Sequence, residues 1–378
     1  GQTSEIHLSP HSDSAILRVG AVLVRTTSMS AAQYEARARQ LLPDYATAYF
    51  GATAGSGVSD AEGTADWSAV RFRPYTLRDV STIDTATTVL GTPVRTPVLI
   101  APMAQQLAAH DEGEAAMARS AAAMGTVLGV STHAAVPFSA VAAEGAPWWF
   151  QVYVTHDRHL TELLVERAVG NGATALILTV DMVALLPAAV NPRSWADVPG
   201  RARMTNLTPA ELAAAGSAGT AIDPTITFEI IDWLRQLSDL PVIVKGVLRA
   251  DDAMRCVDAG ADGIVVSSHG GRRLGPSITS ARALADIAAA VGDRVEIYAD
   301  SGIRTGEHIA AALALGARAV FLGRPLLWAL AAAGSEGVKA VLDELTTELA
   351  LVMTQLGVSR LAELTPDVLE TTTPPFGR

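Results

Sequence analysis

The densest group of reactive side chains lies in the segment IVVSSHGGRRLG, where an apolar run ends and delivers His269 and Arg272 into one glycine-containing loop. An imidazole takes up a proton near neutral pH, and a guanidinium pairs through two N–H groups with a carboxylate or a carbonyl oxygen. Asp181 and Lys245 end two neighbouring apolar runs and add a carboxylate and a second cation. A lone histidine is more often structural, but with these partners at adjacent run ends a catalytic grouping is the stronger reading.

Further polar residues close the other runs: Ser131, Gln151, Tyr153, Thr179, Ser267, Asp300, Arg304 and Arg324. Two late glycine-rich turns, ADSGIRTG and LGRP, read as an anion site. Backbone N–H groups in such turns, followed by a helix N-terminus, can cradle a phosphate, and Arg304 and Arg324 would add charge.

These residues need a scaffold that gathers run ends at one place. The apolar runs are PVLIAP, TVLGVS, WWFQVY, ALILTVD, PVIVKG, GIVVSS, VEIYAD and AVFLGR, separated by Ala-rich helical stretches. That alternation predicts repeated βα units, and the count predicts a (β/α)8 TIM barrel, whose active site forms at the carboxyl ends of the strands. A Pro-, Gly- and Ala-rich excursion after the fourth strand is expected to be a mobile active-site loop around residues 183–222. Val338, Val341, Leu342, Leu345, Leu349, Val352, Met353 and Leu356 recur at helical spacing and predict a long closing helix on the barrel exterior. Ala31 to Leu42 and the stretch LLPDYATAYFGATAG read as helices capping the barrel's amino-terminal end. Residues 1–30 are expected to be a variable extension, and 31–378 a single domain.

The 378 residues carry a formal charge of −11, which argues against nucleic acid or an anionic membrane as partner and leaves small molecules. No apolar run reaches the length of a membrane-spanning helix. The single cysteine, Cys256, excludes an intrachain disulfide and a thiolate metal cluster, so no metal is expected and a cytoplasmic location suits the chain.

From about Tyr34 to Leu364 the chain resembles the FMN-dependent α-hydroxy acid oxidase and dehydrogenase family, which includes glycolate oxidase, lactate oxidase and mandelate dehydrogenase. The most specific pieces are IAPMAQQLAAHDEGE, FQVYVTHD, LTVD, VKGV, SSHGGRRLG, ADSGIRTG and LGRP, in the family's order and spacing. The resemblance implies an FMN barrel that oxidises a 2-hydroxy acid or related α-hydroxy-carbonyl compound to the 2-oxo product, with O2 or another electron acceptor. It implies that Ala104, Ser131, Gln151, Thr179, Lys245 and Ser267 contact the flavin ring or ribityl chain, and that Asp300, Gly302, Arg304, Gly323 and Arg324 hold the ribityl and phosphate. By the same matching His269 is the base, Asp181 the carboxylate that orients it, and Lys245 a cation at the flavin's edge. Tyr49 and Tyr153 become substrate-binding phenols, and Arg272 the grip on the substrate carboxylate. A homo-oligomer is implied, commonly a tetramer, and the Ala-rich segment Leu326 to Ala333 would offer a packing surface.

Departures concentrate on the substrate side. After LTVD the family has a Pro-Arg-Leu-Gly-Arg-Arg-like stretch whose last arginine contacts the carboxylate; this chain reads MVALLPAA, placing Ala188 there, with Arg193 a substitute only if the loop is gapped. Ser268, Arg273, Gly275 and Ser301 replace the family's Asn, Gln, Asp and Gly, and His133 stands where glycolate oxidase has a tryptophan facing the substrate. The expected substrate is therefore larger than glycolate or lactate: an aryl-substituted hydroxy acid, or an ester, amide or similar derivative lacking a free carboxylate, with secondary metabolism as the setting. Two other readings remain at this point, a non-redox FMN barrel enzyme resembling an isomerase and a flavin-binding protein without turnover.

Overall fold

The computed structural model describes residues 16–18, 29–182 and 204–370. Its strands are β1 (Ile16–Arg18), β2 (Thr82–Asp84), β3 (Thr87–Val89), β4 (Thr92–Val94), β5 (Val98–Met103), β6 (Leu128–Ser131), β7 (Trp148–Val152), β8 (Leu176–Thr179), β9 (Val242–Val247), β10 (Gly263–Val266), β11 (Glu296–Ala299) and β12 (Ala319–Leu322). Strands β5 to β12 coincide with the eight apolar runs and close a parallel barrel in sequence order, β12 pairing back onto β5. Their unbroken apolar character follows from burial on both faces, toward the barrel interior and toward the helices outside.

The interior is packed rather than hollow. Leu99, Val127, Trp149, Ile177, Ile243, Val265, Tyr298 and Phe321 fill it, and Trp149 meets Tyr298 and Phe321 edge-on at 5.6 and 5.9 Å between ring centroids. The β3–β4 hairpin adds Val89 and Val94 to this cluster, and Leu90 N–H donates to Glu296 Oε2 at 3.0 Å. The hairpin, not the first helices, thus closes the barrel's amino end. The helices Ala31–Leu41 and Asp44–Phe50 do form, but the first packs on the C-terminal helix and the second puts Tyr49 and Phe50 at the opposite, carboxyl end. From the amino-terminal extension, β1 pairs antiparallel with β2 of the following domain.

Two register shifts shape the carboxyl rim. One lies between Ile100 and Met103 of β5, where Pro102 supplies no ladder N–H and Gly129 of β6 lies so close that a Cβ there would sit 2.6 Å from the proline ring. The other lies between β9 and β10, beside Gly246 at φ +105°, where a Cβ would stand 2.6 Å from the Asp181 Cβ. Gly246 therefore makes the space in which Asp181 sits.

The connection after β8 differs from the expected loop of 183–222. Thr208 and Glu211 form a capping box at the start of the helix Pro209–Gly219, interrupted at Gly216, so its second half is structured. Residues 183–203, including Ala188 and Arg193, lie outside the described residues. The closing helix spans Arg324–Leu356 with a break at Ala333 and Gly334, and buries Val341, Leu342, Leu345, Leu349 and Met353 against the helices Ala31–Leu41, Gly113–Met124 and Gly306–Ala314. Its first part narrows the expected packing surface of Leu326 to Ala333: Leu326, Leu327, Trp328, Ala329 and Leu330 are buried within the chain, which leaves Ala331 and Ala332 half-buried and Ala333 exposed. Apolar surface already covered by its own chain has nothing left to offer a second copy. Among the described residues, no helix is long and apolar enough to cross a membrane.

Candidate functional site

The carboxyl ends of the barrel strands converge on a cleft of about 1060 Å³, its open mouth included. Ala104 reaches it from β5, Ser131 and His133 from β6, Gln151 and Tyr153 from β7, Thr179 from β8 and Lys245 from β9. The loop after β10 brings His269, Gly270, Arg272 and Arg273; the turns after β11 and β12 bring Asp300 to Arg304, Gly323 and Arg324. Asp181 and Ser267 stand behind this lining, each holding a residue that faces the cleft.

Asp181 holds His269. The imidazole Nδ1 lies 2.9 Å from Asp181 Oδ1, and a carboxylate at that distance fixes the tautomer with the proton on Nδ1 and leaves Nε2 as the acceptor. Burial pushes the imidazole down to about 4, against the opposing pull of Asp181, so the ring is neutral at pH 7. Burial alone would raise the Asp181 carboxyl, but His269, Lys245 and Arg273 outweigh it and hold it at about 2. A neutral base over a permanently ionised carboxylate is an arrangement ready to accept a proton and stabilise the resulting cation.

The loop bearing His269 is pinned by hydroxyls. His269 has φ +54°, a left-handed conformation uncommon outside glycine. Ser267 Oγ accepts from His269 N–H at 3.0 Å, while Ser301 Oγ accepts from Ser268 N–H at 3.2 Å and from Gly270 N–H at 2.9 Å. Ser301 Oγ in turn donates to Asp300 Oδ1 at 2.6 Å. Three successive N–H groups are thus held by two serines, one of them standing where the family pattern has glycine. The sequence signalled Ser301 only as a departure.

The wall formed by β6 to β11 is polar and prewired. Gln151 Oε1 accepts from Ser131 Oγ at 3.1 Å and from Thr132 N–H at 3.3 Å, which orients the amide and leaves Nε2 buried with no partner. Thr179 Oγ1 is likewise buried and unpaired. Lys245 Nζ donates to Ser267 Oγ at 3.0 Å and lies 3.3 Å from Asp300 Oδ2. A buried amide donor and hydroxyl without partners are costly unless a ligand satisfies them, and together with an ammonium they suit the polar edge of a flat heterocycle.

Farther along the cleft, Arg304 and Arg324 gather positive charge. Burial, then the neighbouring Arg324, lower the Arg304 guanidinium below its usual range. Arg324 is fastened by Asp60 at 2.7 and 3.1 Å and by the Gly270 carbonyl at 2.5 Å. Two cations against one carboxylate leave charge for a phosphate. Gly302, expected to face the ligand, answers to packing as well: at φ +83° a Cβ would meet the Gly63 backbone at 2.3 Å.

At the mouth the structure separates two adjacent arginines. Arg272 Nη1 donates to the Phe50 and Ala52 carbonyls at 3.0 and 3.1 Å and Nη2 to the Tyr49 carbonyl at 3.0 Å, with the guanidinium over the Tyr49 ring. The expected carboxylate grip thus lines the cleft while bonding to backbone, because the end of the helix Asp44–Phe50 and Ala52 beyond it present three carbonyls to it. Arg273, which the sequence marked only as a replaced glutamine, lines the cleft with Nε buried and unpaired. Tyr49 and Tyr153 are raised by burial, and burial pushes His133 down to about 4. His133 and Tyr153 stack obliquely at 5.8 Å, with Met182 on the same lining. Among the described residues, no group of His, Cys, Asp and Glu is gathered for a metal ion.

Residues 38–371 match the family model described as FMN-dependent dehydrogenase. The L-lactate oxidase of Nostoc sp. is 41% identical over 347 residues, covering 88% of this chain and 95% of that protein. A soluble mutant of the membrane-associated (S)-mandelate dehydrogenase from Pseudomonas putida superposes with a TM-score of 0.83 at 32% identity, over 90% of this chain and 99% of that one. An arginine-to-leucine variant of mandelate oxidase with 2-hydroxy-phenylacetamide gives 0.80 at 35% identity, over 89% and 97%.

Proposed function

Because the chain belongs to the FMN-dependent 2-hydroxyacid oxidase and dehydrogenase family, and is thus an oxidoreductase with FMN as its cofactor, we propose that it oxidises 2-hydroxy acids with side chains larger than those of glycolate and lactate, with O2 as acceptor. The observation that carries the reading is the His269–Asp181 pair, a neutral imidazole with its free nitrogen beside the cleft and its other nitrogen held by a carboxylate. A turnover-free flavin carrier has no need of such a base, and the family match favours oxidation over a non-redox isomerisation.

Bound FMN would supply the two-electron acceptor for oxidation of the substrate's carbinol carbon. The chain's own residues do the rest. Gln151 Nε2, Thr179 Oγ1 and Lys245 would hold the ring's polar edge, Lys245 supplying positive charge there. Arg304, Arg324 and the turns at Gly302 and Gly323 would hold the phosphate, and Ala104, Ser131 and Asp300 complete the cofactor's surroundings. His269 Nε2 accepts a proton from the substrate, and Asp181 stabilises the imidazolium. The Tyr49 and Tyr153 phenols would donate to substrate oxygens.

The size preference is supported by His133, smaller than the tryptophan of the glycolate oxidase pattern, and by the likeness to mandelate oxidase and mandelate dehydrogenase structures. The test is aerobic turnover of glycolate, lactate, 2-hydroxyoctanoate and mandelate with peroxide and 2-oxo acid both measured. Equal or better turnover of the two small acids would overturn the size preference, and 2-oxo acid without peroxide would overturn O2 as acceptor.

A further inference from the structure

Two arginines stand side by side at the mouth of the cleft, and only one has partners. Arg272 is committed to the carbonyls of Tyr49, Phe50 and Ala52. Arg273 lines the cleft with its Nε buried, and among the described residues its guanidinium makes no hydrogen bond or ion pair. The nearby carboxylate whose ionisation Arg273 favours is Asp181, and that group is bonded to His269. The same cation acts on His269, Tyr49 and Tyr153, so it stands among the groups that would surround the reacting end of a substrate.

A partly buried cation without an anion is unfavourable, and removing water from it makes the deficit larger. A carboxylate meets the need: its two oxygens match two guanidinium N–H groups, and charge-assisted pairs are about twice as strong as neutral ones. An ester or amide offers a neutral oxygen in the same place and leaves the charge uncompensated.

We propose that Arg273 receives the substrate carboxylate and so selects free 2-hydroxy acids over their esters and amides, a specificity-determining role that rests on reading the cleft as a 2-hydroxy acid site. By sequence, the stretch after LTVD carries Ala188 where the family pattern has its second arginine, and Arg273 is an arginine gained where that pattern has glutamine. Of the two expected substrate classes, derivatives without a free carboxylate become the disfavoured one.

The test separates binding from turnover. FMN-loaded wild type, Arg273→Gln and Arg273→Lys are titrated with propionate and phenylacetate and with the corresponding amides, and Kd is read from the change in flavin absorbance. Arg273→Gln should weaken the acids about 10- to 100-fold. The amides should shift less than about threefold, and Arg273→Lys should restore part of the loss for the acids. An unchanged Kd for both acids, equal losses for acids and amides, or no acid binding by wild type would overturn the assignment. Because these probes are not oxidised, a protein that turns over no hydroxy acid yet shows the acid-selective loss would refute the proposed function and leave the role of Arg273 standing.

Discussion

The inner wall of the cleft and its mouth are built on different principles. Along the wall, side chains rise from strand ends and are held by their neighbours: Gln151 by Ser131 and Thr132, Lys245 by Ser267 and Asp300, the His269 loop by Ser267 and Ser301. At the mouth, Tyr49 comes from a helix preceding the barrel, and Arg272 and Arg273 from a loop past the last residue of β10. Strand ends fixed by the barrel ladder can hold a cofactor and a base in one geometry, whereas loops and appended helices can change their side chains without disturbing it. Among the described residues the departures divide: His133 and Arg273 belong to the mouth, Ser301 stiffens the His269 loop, and Gln151, Thr179 and Lys245 are kept.

The difference predicts a hierarchy of effects. Substituting His269→Gln should lower kcat/KM for the best substrate by about 10²- to 10⁴-fold with FMN content unchanged, the range a positioned general base contributes. A loss under tenfold would break the assignment. Asp181→Asn should cost less, and its diagnostic readout is the pH profile. The base works when neutral, so wild-type kcat/KM should rise with pH through the His269 value of about 4 and then level off. Asp181 raises the proton affinity of the ring, so removing its charge should move that limb lower; a limb that moves higher would contradict the pairing.

Smaller effects sharpen the boundary between wall and mouth. Ser301→Gly, which restores the family's residue, removes the acceptor of two N–H groups beside His269 and should reduce kcat severalfold with little change in KM. A KM effect alone would place Ser301 with substrate binding instead. Glu114 ties the loops after β5 and β6, its Oε1 accepting from Gln106 and Ala135 N–H at 3.3 and 3.0 Å, and burial pushes its carboxyl up to about 7. Its folded-state value lies above the unfolded one, so the stabilisation is complete below about 4.5 and is lost as pH rises through 7. Thermal unfolding between pH 5 and 8 should therefore fall more steeply in wild type than in Glu114→Gln.

The barrel was legible because each strand, buried on both faces, leaves an apolar run with a polar residue at its end. The β3–β4 hairpin was not, since its short strands carry threonines and a proline, and burial under the barrel is not written in a three-residue segment. The helix Pro209–Gly219 left a signal in its Thr208–Glu211 capping pair that the Pro/Gly-rich composition around it obscured. Leu326 to Ala333 read as a packing surface because composition shows that a segment is apolar and not what covers it, and its first five residues are covered by the chain itself. At the site, residue types and strand-end placement pointed to His269, Asp181 and Lys245. Which of Arg272 and Arg273 is hydrogen-bonded to backbone depends on the chain path at Tyr49–Ala52, some 220 residues earlier.

The central claim is that the inner wall performs 2-hydroxy acid oxidation whatever the mouth selects. Its most direct test is to mix the FMN-loaded protein anaerobically with a panel of 2-hydroxy acids of increasing side-chain size, together with their amides, and to follow the visible absorbance of the flavin. The account predicts bleaching by at least one free acid, faster than by its amide, and none with His269→Gln on the same timescale. A fully loaded flavin that no member of the panel bleaches, or bleaching that survives the loss of His269 at the wild-type rate, would contradict it.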